Sequence, residues 1–314
     1  MNLFLKNIIS FSLKGLLLFI LLFGIHSWWI RMHPFPELKQ LQEALKKEDP
    51  IIFFGDSVNR HYAKSDSDKR SIAEMLDSIL EESVTGISYY AYQSELYLEF
   101  IRYIKKTAPE KKITILLPIN LRSFSPEWDL RPGYQFIKEK YALNGYPYWL
   151  HFNFKQYEII NKSTFEEKRI LYDNKKIGAV ATIEKILATT KKDSTLKYGF
   201  IYHYMQPIPP DHRKLKAFAE IVNYTKNSNL DVQLYFTPID YMRAEMVGLK
   251  KFRRQVAQNK NTIKKALEDS SLKILDVSLL LDSTQFDYEQ IPNEHLNQYG
   301  KDQLVRQLKF FLNK

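Results

Sequence analysis

The sequence predicts an α/β domain on a doubly wound, five-stranded parallel sheet, carrying an inserted segment and preceded by an N-terminal transmembrane helix. Three observations predict it. Short apolar runs of strand length alternate along the chain with segments of helical periodicity. Runs such as IIFF and ITILLPI are apolar throughout, as strands covered on both faces must be. One long uncharged apolar run stands apart at the N-terminus.

Leu16 to Ile30 reads LLLFILLFGIHSWWI, without a charge. Counted from Ile8, about 23 residues are available, enough to span ~30 Å of hydrocarbon if Lys14 snorkels to the interface. Trp28 and Trp29 sit where an interfacial aromatic belt falls. The small residues of a signal-peptidase site are missing, so residues 1–31 read as an uncleaved signal anchor. Lys6 and Lys14 precede the apolar core and Arg31 and Lys39 follow it, a near balance of flanking charge. A short N-terminal tail kept in the cytoplasm puts the large domain outside the membrane. Residues 32–49 are expected as linker and stalk, and residues 50–314 as the domain.

Within that domain the expected strands are 50–54, 84–90, 112–119, 232–237 and 272–277. The expected helices are 71–82, 95–106, 214–226, 249–267 and 298–311. Right-handed crossovers favour the strand order 2-1-3-4-5. Residues 121–200 break the rhythm. About 80 residues rich in Tyr, Trp, Asn and Lys are too many for a plain loop, so they read as an insertion with its own helices, placed to wall or cover the carboxyl edge of the sheet.

Composition excludes several chemistries. The absence of cysteine removes disulfide scaffolds, thiolate metal sites and cysteine nucleophiles. No GxxxxGK, GxGxxG, HExxH or GxSxG arrangement is present, so no cofactor and no metal is expected. The formal charge of +10 is concentrated: Arg243 to Lys265 holds eight basic residues and one acid. On a helical wheel Lys250, Arg253, Arg254 and Lys264 share a cationic half opposite Leu249, Phe252, Val256 and Ile263. That face is expected to touch substrate or an anionic surface such as lipid head groups. A membrane-tethered domain without a paired aromatic and basic motif argues against nucleic acid.

The chemistry-bearing residues lie at the two ends of the domain. Gly55-Asp56-Ser57 follows the first strand directly, which presents Ser57 at a strand-to-helix turn. A serine hydroxyl is a weak nucleophile and requires a base. His295, in IPNEHLNQYG just before the last helix, comes to the same edge of the sheet. His61, four residues after Ser57, reads as a surface residue or a substrate contact.

FFGDSVNR, HLNQYG and Asn120 in LLPINLRSFSP together resemble the GDSL-type, or SGNH, hydrolase superfamily over roughly residues 50–120 and 228–312. The resemblance implies a flavodoxin-like fold, Ser57 as nucleophile, His295 as base, and Asn120 with the Ser57 backbone N–H as oxyanion donors. The family's donor glycine after the second strand is replaced by Ala91 or Tyr90. Its aspartate three residues before the histidine is replaced by Pro292, which leaves Glu294, Asn293 or Asp287 as candidates to orient the ring. Anchor first and domain second is similar in layout to the proteins of teichoic-acid D-alanylation and alginate O-acetylation. This implies an esterase or O-acyltransferase acting on acyl esters of cell-envelope polymers, glycans or lipids beside a membrane-bound acyltransferase, with a catalytically inactive scaffold as the alternative.

Overall fold

A computed structural model of the chain describes residues 3–125, 136–145, 192–267, 272–289 and 291–313. In chain order the elements are helix α1 (Leu3–Met32), α2 (Pro36–Ala44), strand β1 (Ile51–Gly55), α3 (Ser57–Arg60), α4 (Ile72–Asp77), β2 (Val84–Ser88), α5 (Ser94–Thr107), β3 (Ile113–Ile119), α6 (Ile137–Asn144), α7 (Lys192–Tyr204), α8 (Arg213–Thr225), β4 (Leu230–Phe236), α9 (Tyr241–Met246), α10 (Phe252–Ala266), β5 (Lys273–Asp276) and α11 (Gln298–Leu312). The strands form one parallel sheet in the order β2-β1-β3-β4-β5, the doubly wound order the alternating pattern predicts.

Successive strand residues feed opposite faces. Ile52 and Phe54 enter one core with Ile115, Leu117, Leu234 and Phe236, covered by α5, α8 and α10. Ile51 and Phe53 enter the other with Leu116 and Tyr235, covered by α4 and α11. Fully apolar strands are thus explained by burial on both sides.

Two expectations change in extent. The helix expected over residues 71–82 stops at Asp77. Ser71 and Glu74 close its start as a capping box, and Asp77 accepts a hydrogen bond from Val84 N (2.7 Å) that draws the chain into β2. The helix expected from Leu249 begins at Phe252, after a turn through Gly248 in the left-handed region.

A third expectation is corrected. Residues 36–44 were expected within a linker and stalk, but α2 docks on the domain. Leu38 and Leu41 join the core, Phe35 meets Phe100 edge-on, and Gln42 donates to Tyr103 (2.9 Å). The amphipathic spacing of Leu38, Leu41 and Ala44 needs a partner surface, and β2 and α5 supply it.

In α1 the stretch Asn7–Trp29 is long and apolar enough to cross a membrane, ~34 Å at 1.5 Å per residue. Most of the expected insertion, together with its role as wall or lid, lies outside the described residues.

Candidate active site

β1, β2, β3 and β4 all end at one edge, and the site is assembled there. At the end of β1, a Cβ on Gly55 would lie 2.7 Å from Asn59 Cβ and 2.8 Å from Ser88 Oγ, so only glycine fits. Asn59 holds this corner together: its Oδ1 accepts from Ala73 N (3.0 Å), and its Nδ2 donates to Ser88 Oγ (2.5 Å). Asp56 caps α3, its Oδ1 accepting from Val58 N (2.8 Å) while Oδ2 accepts from Asn120 Nδ2 (3.0 Å). Desolvation pushes the Asp56 carboxyl above the usual range. Ser57 follows as the first residue of α3, facing a cleft of about 170 Å³. Asp56, Ala91, Gln93, Asn120, Arg122, Glu294 and His295 line that cleft with it.

The structure brings the two predicted partners together: His295 Nε2 lies 3.1 Å from Ser57 Oγ. The loop that carries His295 is built by Asn293. Its Nδ2 donates to the carbonyls of Asp287 (2.9 Å), Tyr288 (3.0 Å) and Ile291 (3.0 Å), and its Oδ1 accepts from His295 N (2.8 Å). Asp287 N donates to His295 O (2.9 Å), and Phe286 and Leu296 close the loop as an antiparallel bridge.

None of the three candidate partners meets the outer nitrogen of His295, whose Nδ1 has no hydrogen-bond partner among the described residues. Asn293 is spent on the backbone. Glu294 is buried (3% exposed) and turns beneath the cleft toward Arg122, Asn120 and Tyr204. There, burial pushes its carboxyl up to about 7, with Asp56 adding to the rise, while Arg122, Asn120 and Tyr204 oppose it. Asp287 pairs instead with His61, Oδ2 to Nε2 at 2.7 Å. Pro292, at the position where an aspartate was expected, faces elsewhere. A Cβ on Gly199 of α7 would lie 2.6 Å from its ring, and its carbonyl accepts from Arg122 Nη1 (3.1 Å).

Burial first, then the neighbouring His61 and Arg122, push the His295 imidazole down to about 4, against a raising contribution from Asp287. The ring is therefore neutral at physiological pH. With Nε2 accepting from Ser57, its proton sits on Nδ1. Asn120 is in the cleft as expected. Ala91 has φ 66°, the left-handed conformation that glycine adopts most readily, and its side chain lines the same cleft. Among the described residues no group of three His, Asp or Glu side chains is arranged to hold a metal ion.

Sequence reasoning missed Arg122 and undervalued His61. Arg122 stands two residues after Asn120, a spacing that carries no motif. The His61 ring stacks on His295, with centroids 4.4 Å apart and planes at 22°.

The four residues of the expected cationic face are all exposed, and two of them meet acids. Arg253 donates to Glu245 (2.6 and 3.0 Å) and lies over the Tyr241 ring (4.3 Å). Lys264 lies 3.7 Å from Asp276, and Lys260 is drawn inward onto Asp276 (2.8 Å) and Ser278 (2.7 Å). Lys250 and Arg254 carry no such ion pair among the described residues, and none of these side chains lines the cleft. A wheel sums charge and omits the acids that tertiary contacts bring to it.

No protein-family model and no curated protein matches the sequence. Solved structures do match. A lipolytic G-D-S-L family member from Veillonella parvula is 14% identical over 84% of this chain and 99% of that one, with a TM-score of 0.37. The acetylxylan esterase Axe2 from Geobacillus stearothermophilus is 12% identical over 85% and 94%, at 0.38. The lipase Lip_vut3 from a goat rumen metagenome is 11% identical over 83% and 96%, at 0.40. Likeness of this degree assigns no activity to the chain.

Proposed function

We propose that the chain is a membrane-anchored serine esterase or O-acyltransferase of the SGNH type. It acts through a Ser57–His295 dyad on acyl esters of cell-envelope polymers or lipids. The observation that carries the reading is the 3.1 Å contact between Ser57 Oγ and a neutral His295 Nε2 at the mouth of a cleft. Ser57 Oγ forms a bond to the acyl carbon while its proton passes to His295 Nε2. The ester C–O bond then breaks, and the same proton leaves on the departing alcohol. The Ser57 backbone N–H and the Asn120 amide serve the oxyanion. Water or a sugar hydroxyl releases the acyl group by the reverse sequence, giving hydrolysis or transfer.

Support for the membrane setting is the apolar α1, joined to the domain through the docked α2. Such an arrangement holds the cleft at a bounded distance from the bilayer, which suits work beside a membrane-bound acyltransferase.

A fluorophosphonate probe tests the reading. Ser57 displaces fluoride from phosphorus, so the full-length protein in detergent should be labelled. Ser57→Ala and His295→Ala should not be. Equal labelling of Ser57→Ala would sink the proposal. Incubation with an aryl acetate and a soluble glycan then separates the two outcomes, free acetate marking an esterase and acetylated glycan a transferase. That His295 Nδ1 finds no partner among the described residues favours a second reading, a scaffold without activity, and an unlabelled wild type would select it.

A further inference from the structure

Among the described residues no carboxylate meets the outer nitrogen of His295, yet one stands one ring away. His61 Nε2 lies 2.7 Å from Asp287 Oδ2, and since an ionised carboxylate has no proton to give, the histidine donates. The His61 ring lies flat on His295. Tyr288 packs on both rings, at 5.2 Å from His61 and 5.8 Å from His295. Both members of the pair are largely shielded, with side chains 14% and 25% exposed, so water screens their charge weakly. His61 is fixed from its own side because its N–H caps α3 on Ser57 O (2.9 Å). Asp287 is fixed by the Asn293 loop, whose next residue, Tyr288, is held at φ 55°. A non-glycine residue held there marks a backbone over-determined by its surroundings.

We propose that Asp287, acting through the stacked ring of His61, positions His295 and stabilises the imidazolium that forms when Ser57 gives up its proton. His61 and Asp287 are positioning residues, since neither lines the cleft. The inference rests on the serine–histidine reading above. In the attack step one proton moves from Ser57 Oγ to His295 Nε2, leaving a cation on the ring and an anion on the former carbonyl oxygen. Around that cation stand Arg122 and the buried Glu294 on the cleft side and Asp56 below. His61 and then Arg122 oppose the cation, and Glu294 gives little help because burial holds its carboxyl protonated up to about 7. Asp287 is the carboxylate left to offset it, and it raises the basicity of His295.

The test is the rate of fluorophosphonate labelling at Ser57 in the full chain, with melting temperature followed in parallel. Asp287→Asn keeps the shape and removes the charge, and should label about tenfold more slowly, the scale of a weakened general base. Asp287→Glu should recover most of that loss. His61→Phe keeps a ring but releases Asp287, and should be slow as well. The double variant His61→Phe/Asp287→Asn should be no slower than the slower single one, as expected for residues acting as one unit. Wild-type rates in Asp287→Asn, or losses that multiply in the double variant, overturn the inference. Should Asp287→Asn melt below the assay temperature, His61→Phe decides alone, and a wild-type rate there overturns it. If wild type itself is not labelled, the dyad reading fails and takes this inference with it. Labelling of wild type with no slowing in the variants removes the inference alone.

Discussion

The turn after β1 and the loop before α11 deliver the two halves of one dyad by opposite means. In the turn everything is local. Gly55, Asp56, Ser57 and Asn59 lie within five residues, and each is explained by a neighbour: space at Gly55, a cap at Asp56, a corner at Asn59. The described residues of the loop over 286–297 form no helix, and one bridge, Phe286 to Leu296, is their only strand-like pairing. One side chain, Asn293, ties its backbone together, and its electrostatics come from residues far away in sequence. A nucleophile needs position, which a short motif can encode. A base needs an environment, which only packing supplies.

The largest effect sharpens this contrast at its centre. Ser57→Ala should abolish labelling with melting temperature unchanged, because the half-buried hydroxyl contributes chemistry more than packing.

Breaking the turn comes next. Gly55→Ala drives a methyl into Asn59 and Ser88 on two sides and should cost about 3 kcal/mol, read by chemical denaturation. A cost near zero would show that the turn can relax, and the contrast with the loop would disappear.

The loop's electrostatics are exposed by pH. The unfolded chain releases the Glu294 proton near 4.5 and the folded one holds it up to about 7, so this group lowers stability as pH rises through that window. His295 behaves oppositely. Folded, it takes a proton only near 4, against 6.5 unfolded, so its share of stability is lost as pH falls from 6.5 to 4. The slopes oppose each other in wild type. Glu294→Gln removes one of them, and stability should then climb by about 3 kcal/mol between pH 4 and 6.5, measured by denaturant titration at each pH. A flat profile in that variant would contradict the neutral, buried His295.

Breaking the loop's tie is the smallest of these effects. Asn293→Ala takes the donor from three part-buried carbonyls and should cost about 2 kcal/mol. It should also slow labelling, since His295 N loses its acceptor, while hydrogen exchange at β1 and α3 stays as in wild type.

The family resemblance singled out Asn120; sequence by itself determined the alternation of strands and helices, the doubly wound order, the apolar N-terminal helix, and the places of Ser57 and His295. Those features follow from periodicity and local turn chemistry, which act over a few residues. The acid was not legible, because Glu294, Asn293 and Asp287 crowd one short segment and only folding separates their roles. Tertiary structure buried Glu294 under the cleft, gave Asn293 to the backbone, and sent Asp287 to His61. It also docked α2 on β2 and α5, and paired Arg253 with Glu245 and Lys260 with Asp276. Each of these outcomes depends on desolvation and on partners distant in the chain, and no window of sequence contains them.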